Sequence, residues 1–538
     1  MSHSDKLAQP AMSASTMQGA ERLIGRLVSS GVDLSVEADD IVFSGPVGAL
    51  DKLTLDTLRR EKHAVLSMLA QSRARGVLKL GATSWEQRRM EWRNRVDSHA
   101  ATYNVCNRFE FRGVVDLRSL ARAAVALTER YKILRTRFVG WGEHLLQEVM
   151  APPRSVIEVA QPTGLGAVGN SRLDEWCMRR GAAPFALGSE APVRWSYVQI
   201  AGDQAILLVT LHHIACDGWS IERLLNDFRV LYLAEVRREE ATGLPSVAIT
   251  PSDFARWEMD WLTQKRIEKA RAFWTAELAG AELTPIFIRS RGPVAPGGEA
   301  GCVSRSLSAA VAARITSMSR SLALTEFSLY FAAFAMLLQQ ETSGGDCAVV
   351  IAVANRTRPE HEELVALTRN AQPVRCSVIP GDTIETVARR ISARVEHAAA
   401  YQWFPIGLIE IPDGDTRTSD MRRLPVTFGF EGPSDATRNC SQLSASMHNV
   451  YLGAARAEFS LLVRRHADSA EAFVEYSKGQ FSSQDAELMT EKYVRLTEKE
   501  AGWWYGLEGG LGQTEKSDGT PGGGNAGIPA AVHGYLND

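Results

Sequence analysis

The chain has 538 residues, 45% of them hydrophobic and 23% charged, which supplies enough apolar side chains for sizeable cores and excludes wholesale disorder. At ~150 residues per domain the length predicts three or four units. Lys plus Arg number 60 against 63 Asp plus Glu, a formal charge of -3, so no broad basic surface for nucleic acid is demanded.

In chain order, residues 1 to 16 are polar and lack a signal-peptide pattern, and are expected to be flexible. Leu23, Ile24, Leu27 and Val28 then predict a helix that stops at Gly31. Val32, Leu34 and Val36 alternate with polar residues, and Ile41 and Phe43 follow an Asp-rich turn, the period-two pattern of a hairpin. Leu50 to Leu69 predict two further helical pieces, the second starting near Thr54. This helix, hairpin, helix module spans 17 to 72, holds no catalytic constellation, and at ~55 residues buries little by itself. It is expected to be marginally stable and to serve as an adaptor.

From about 80 to 505 the pattern is mixed α/β. An apolar stripe at Leu117, Leu120, Ala124, Leu127 and Tyr131 marks a helix. AILLVTL at 205 to 211 is a buried strand, and Ile221, Leu224, Leu225, Phe228 and Leu231 mark the helix after it. FSLYFAAFAMLLQQ and the strand CAVVIAVAN follow in the later half. Two lobes of similar size are expected, 80 to 250 and 251 to 505. Gly dominates 506 to 538, where periodicity disappears, so a flexible tail is expected. The longest apolar runs fall short of the ~20 residues that cross a bilayer. Seven scattered cysteines, none in a C-x-x-C pair, argue against a disulfide framework or structural zinc and fit a reducing cytoplasm.

The sharpest feature is HHIACDGWS, His212 to Ser220, between that strand and that helix. Successive side chains of a strand point to opposite faces, so His212 and His213 do not both project into one site, and one of them is structural. Asp217 and Gly218 occupy the turn into the helix, where a carboxylate satisfies backbone donors and Gly permits close approach. Other patterns carry less. GLGAVG at 164 to 169 mimics a dinucleotide fingerprint, but Pro162 precedes it and Glu190 closes no second strand. His361 to Leu364 reads HEEL and lacks the second histidine of a zinc hydrolase, and no phosphate loop is present.

HHIACDGWS resembles the HHxxxDG signature of nonribosomal peptide synthetase condensation domains, relatives of chloramphenicol acetyltransferase. The likeness extends in order through TSWEQRRMEW (83–92), RYKILRTRF (130–138), SDFARWEMDWL (252–262), VANRTRPE (353–360) and TRNAQPVR with Asn370 and Arg375. It departs at ALTRNA, where Arg369 stands in a position commonly apolar, and at YQWFP (401–405). The resemblance implies two chloramphenicol-acetyltransferase-like lobes in a V-shaped pseudodimer. It implies His213 as the active-site histidine, Gly218 as an oxyanion donor, and His212, Asp217 and Arg356 as structural, with Arg356 the partner of Asp217. Ser84, Trp219 and Asn370 become candidates for the channel. No metal or permanently bound cofactor is implied; the substrates ride on the phosphopantetheine of carrier proteins.

The N-terminal module is similar to the β-hairpin, or TubC-like, docking domains, a small α+β fold that takes a short motif from the C-terminus of an upstream carrier-protein subunit along a hairpin edge. That likeness selects Val36, Ile41 and Phe43 on the hairpin and the basic Arg59, Arg60 and Lys62. Together these features predict a free-standing condensation enzyme that passes a carrier-bound acyl or peptidyl chain to an amine or hydroxyl on a second carrier or a soluble acceptor, at a peptide or hybrid polyketide assembly line, with chain release as one outcome. The alternatives are a non-catalytic condensation-like platform and an epimerisation domain, the latter disfavoured by the leading module.

Overall fold

The computed structural model describes residues 14–37, 40–46, 50–96, 101–161, 171–281, 299–342, 346–409, 424–432, 437–440 and 443–511. The GLGAVG segment, the first 13 residues and the tail from 512 lie outside these.

Helix α1 (Ala14–Ser29) buries Leu23, Ile24, Leu27 and Val28 and ends at Gly31, whose φ of 87° suits a residue without a Cβ. Strands β1 (Asp33–Glu37) and β2 (Asp40–Ser44) pair antiparallel with Val36 opposite Ile41. The two helical pieces expected next are one helix, α2 (Lys52–Ala74). Nothing between Leu50 and Leu69 breaks a helix, and the cap is Asp51, whose carboxylate accepts the Thr54 N–H at 2.7 Å.

The module is not a separate body, contrary to the expectation of a marginally stable unit standing on its own. Its core runs on into Val77 and Leu80 of β3 (Val77–Ala82) and into Trp141 and Leu146. Those last two residues belong to β5 (Thr136–Trp141) and β6 (His144–Met150), which sit with β3 in a three-stranded sheet of order β3-β6-β5. The physical reason is size: so few residues cannot shield both faces of their own apolar layer, so they share one with the sheet. Polar links seal the seam. Ser29 Oγ lies 3.0 Å from His144 Nδ1, and Glu21 accepts the Gly142 N–H at 3.1 Å. Gly25 lies so close to Trp141 that a Cβ there would overlap its carbonyl oxygen.

Between these strands come α3 (Trp85–Val96), β4 (Asn104–Arg112) and α4 (Leu117–Arg130). The first lobe continues through β7 (Ile157–Ala160), α5 (Ser171–Gly181), β8 (Val193–Ala201), β9 (Gln204–His212) and α6 (Gly218–Arg237). Helices α7 (Pro251–Trp261) and α8 (Gln264–Glu277) lead onward. The second lobe begins with β10 (Ala300–Leu307), α9 (Ala309–Leu322), α10 (Glu326–Glu341), β11 (Cys347–Val353), α11 (Pro359–Glu362), β12 (Asn370–Cys376) and α12 (Ile384–Ala399). The chain closes with β13 (Leu424–Glu431), β14 (Thr437–Cys440), β15 (Leu443–Asn449), β16 (Ala457–Arg465), β17 (Ala470–Ser477) and α13 (Ser483–Leu511).

Each lobe is built on a six-stranded sheet. The second has the order β10-β17-β16-β13-β11-β12. Helix α10 is buried on every face from Phe327 to Leu338, which explains its apolar sequence; Phe331 stacks on Phe428 with centroids 4.7 Å apart. Among the described residues no single helix is long and apolar enough to cross a membrane, and α9 and α10, which reach that mark together, are bent by 111°.

The first lobe's sheet has the order β14-β15-β4-β9-β8-β7, so two strands from the later half of the chain complete it, with Ala445 opposite Phe111. A cut at 250 therefore does not separate the lobes. Helix α7 bridges the halves: Arg256 pairs with Asp33 at 2.6 Å and Glu258 accepts from Trp85, while Phe254 packs on Leu364 and Ala366. Helix α13 continues through 506–511, where a flexible tail is expected from the sequence.

Candidate active site

Strand β9 ends at His212, whose N–H still donates to Pro192 O, just ahead of β8, at 2.9 Å; His213 opens a short 3-10 turn, His213–Ala215, with its own N–H on Tyr103 O at 2.7 Å. The two adjacent rings meet different surroundings. His212 is fully buried: Nδ1 accepts the Ile214 N–H at 3.1 Å and Nε2 stands 3.1 Å from Asn94 Oδ1. Burial first, then the charges of Arg456 and Arg194, push it down to about 3, so it is a neutral structural post.

Neither ring nitrogen of His213 meets a hydrogen-bonding partner, although the residue is 1% exposed. An unpartnered buried imidazole costs about 1 to 3 kcal/mol relative to a satisfied one, so this ring adds nothing to stability through hydrogen bonding. Burial, followed by the cations Arg369 and Arg456, holds it well below the ordinary histidine value, so it is a neutral base at pH 7.

Asp217 is the N-cap of α6. Its carboxylate accepts from Ser220 N (2.9 Å), Ser220 Oγ (2.7 Å), Thr368 N (3.2 Å), Thr368 Oγ1 (2.8 Å) and Arg369 N (3.3 Å). Arg356 Nη2 donates to both of its oxygens, at 3.0 and 3.2 Å. Burial opposes its charge, but Arg356 and the hydrogen bonds prevail and keep it below the usual carboxylate range. With every lone pair engaged, Asp217 takes no proton from a substrate; it ties α6 of the first lobe to the 356–369 segment of the second. Arg356 also donates to the His361 and Leu364 carbonyls. Gly218 supplies the first N–H of α6, one of the donors a helix leaves without an internal partner.

Of the remaining sequence candidates, Ser84 and Asn370 are built into the framework, and Trp219 lies beside Arg356. Ser84 is 1% exposed and caps α3: its Oγ accepts the Gln87 N–H at 3.3 Å while Gln87 Oε1 accepts the Ser84 N–H at 3.0 Å. Asn370 is buried and saturated, donating to Gln402 O (3.0 Å) and Phe404 O (2.5 Å) and accepting from Ala371 N (2.8 Å). Both are framework residues, and neither presents a free polar atom to a channel. Trp219 is half-buried, with its indole N–H on Glu362 O at 2.8 Å. On the module, Val36 and Ile41 pack toward its core, whereas Phe43 is 43% exposed beside Val42 at 39%. Of the basic trio, Arg59 pairs with Asp56, Arg60 bonds Thr57 and Lys62 pairs with Asp40.

Sequence reasoning missed Ser220, Thr368 and Arg456. Ser220 carries a local signal, an Asp three residues before a Ser at a helix start; Thr368 and Arg456 carry none, because their roles arise from contacts across the lobes. Among the described residues no group of three or more His, Cys, Asp and Glu is placed to hold a metal.

Comparison with known proteins agrees with this geometry. The family model described as "Condensation domain" matches residues 82–501. Phosphinothricin tripeptide synthetase PhsC of Streptomyces viridochromogenes is 27% identical over 437 residues, 78% of this chain and 39% of its own length. Enniatin synthase of Fusarium equiseti is 26% identical over 394 residues, 72% of this chain and 12% of its own. This chain thus spans well under half of either relative. Among solved structures, the first condensation domain of the calcium-dependent antibiotic synthetase superposes with a TM-score of 0.66 at 17% identity, over 79% of this chain and 97% of that one. The complex of the X-domain and OxyB from teicoplanin biosynthesis gives 0.64 at 21% identity, over 78% and 93%. At these identities the structural likeness speaks for the fold, a mixed α/β architecture of the condensation type.

Proposed function

The chain belongs to the condensation-domain family, and from that premise we propose that it is an acyltransferase that moves an acyl or peptidyl group from a carrier-protein thioester to an amine or hydroxyl acceptor. The observation that carries the reading is His213: a neutral imidazole with both nitrogens unpartnered, at the turn of the HHxxxDG signature. In the proposed reaction the acceptor's nitrogen or oxygen attacks the thioester carbonyl and His213 takes its proton. The tetrahedral intermediate then collapses, the C–S bond breaks, and the leaving thiolate receives the proton. An alcohol, which keeps its proton at pH 7, gains more from this base than an α-amine of pKa about 8. The Gly218 N–H is the candidate donor to the oxyanion, and the Asp217–Arg356 pair holds the turn. At 1% exposure the ring is reached only once surrounding side chains move aside, so a local opening belongs to the proposed cycle. The pantetheine arm belongs to the substrates; no resident cofactor is part of the proposal.

Carriers are supplied by other subunits in this reading. Support comes from β2, an outer strand with Val42 and Phe43 exposed, a suitable edge for a short peptide to extend by β-pairing. The test of function is single-turnover transfer from a loaded carrier, followed by intact-protein mass spectrometry. His213→Ala is expected to abolish product formation above background; equal product from both proteins refutes the proposal. For docking, Phe43→Asp is the clean probe, because deletion of the module strips the sheet that shares its core.

A further inference from the structure

We infer that Arg456, which belongs to the second lobe, is a positioning residue that fixes where the His213 imidazole stands in the first. The inference rests on the reading of His213 as the proton acceptor. The Arg456 backbone is fastened to its own lobe, its N–H lying 3.4 Å from Glu475 Oε1 on β17. Its guanidinium crosses to the other lobe: Nε donates to Thr102 O at 3.0 Å and Nη2 reaches Asn104 O at 3.4 Å. Between those two peptides lies Tyr103, whose carbonyl accepts the His213 N–H at 2.7 Å. The catalytic residue therefore hangs from a carbonyl whose neighbours on both sides are gripped from the opposite lobe.

The charge has a second effect. Both acceptors of Arg456 are neutral carbonyls, so its charge acts on the imidazoles beside it, adding to burial in keeping His212 and His213 unprotonated. The groups facing His213 are Arg369 and Arg456, which oppose its protonation, and Asp217, which favours it while held by Arg356. The neighbouring His212 is neutral. Lysine at 456 would keep the charge but not the two-pronged grip, and glutamine would lose the charge. The two contributions are therefore separable.

The test uses the full chain carrying 13C- and 15N-labelled histidine, with the His213 signals assigned by His213→Gln. Arg456→Gln is expected to move the His213 ring titration upward, toward the ordinary value of about 6.5. Arg456→Lys is expected to leave that titration in place. Both variants should speed His213 amide exchange by ~10-fold, through loosening of the 102–104 segment. With the loaded native carrier, Arg456→Gln should lower kcat by about 10- to 100-fold with KM little changed, as for a misplaced base. An unmoved titration in Arg456→Gln, or wild-type amide exchange in Arg456→Lys, overturns the inference; the lysine variant alone decides should the glutamine variant not fold. An inactive His213→Ala beside a fully active Arg456→Gln refutes this inference and leaves the proposed function standing. An active His213→Ala refutes the proposed function instead.

Discussion

Glu258 accepts the backbone N–H of Trp85 at 2.6 Å, joining α7 to the first turn of α3 inside a site where the carboxyl is 4% exposed. Burial raises Glu258 to about 7, against the opposing pull of the Trp85 bond and Arg88. The folded state therefore binds a proton that the unfolded chain releases above about 4.3. Stability from this group is complete below that value and is lost as pH rises toward 7. Glu258→Gln should flatten this part of the pH dependence of the urea midpoint; an unchanged slope contradicts the assignment.

The Asp217–Arg356 pair is expected to behave asymmetrically. Arg356→Met leaves a buried carboxylate without its cation and should cost about 3 to 5 kcal/mol. Asp217→Asn combined with Arg356→Met should restore much of that loss, which denaturant titrations of the single and double variants will show. Since the Asp217 carboxyl sits below its ordinary value, its contribution is present above about pH 4 and disappears only under more acidic conditions.

His212 and His213 should separate by phenotype. His212→Ala removes the acceptor of the Ile214 N–H and the partner of Asn94, with an expected cost of about 1 to 3 kcal/mol in stability. His213→Ala removes a ring whose nitrogens bond nothing, so its stability cost should come from lost packing alone while transfer is lost, as thermal denaturation beside the transfer assay will show. Stability losses of equal size would show that both rings are structural.

In the wild type, the depressed His213 titration puts the acid limb of kcat/KM below the ordinary imidazole value of about 6.5. A pH profile of kcat/KM for transfer from the loaded carrier checks this; a half-maximal point near or above that value contradicts a neutral buried base.

Gly25 tests the seam between module and lobe. Gly25→Ala places a methyl against the Trp141 carbonyl and should destabilise by about 1 to 3 kcal/mol, and limited proteolysis should find α1 released. A variant as stable and resistant as wild type would show that the module is loosely held.

What is legible in the sequence is local. Strand β9, helix α6 and the turn between them follow from an apolar run, a helical stripe and an Asp-Gly step, all within about 30 residues. The hairpin is equally plain, because Val36 and Ile41 declare one face by alternation. What escapes depends on partners distant in sequence. Alternation says that only one of His212 and His213 faces a site; which one depends on Asn94 and Tyr103, roughly 110 residues earlier. Ser84 and Asn370 read as polar residues fit for a channel, yet both are consumed by helix capping and backbone carbonyls, which composition cannot distinguish from solvent-facing roles. The shared core of the module is hidden for the same reason: Trp141 and Leu146 are far from the module in the sequence, and nothing local tells whose apolar layer they cover.

The placement of β15 beside β4 orders the assembly of the molecule as it leaves the ribosome. Until residue 449 has emerged, the growing first half carries a bare β4 flank able to bond any passing strand, and only synthesis of most of the second half occupies it. Halves produced separately would each lack something, one a cover and the other a host, so dividing this enzyme for engineering calls for a circular rearrangement that keeps residues 437–449 with their sheet.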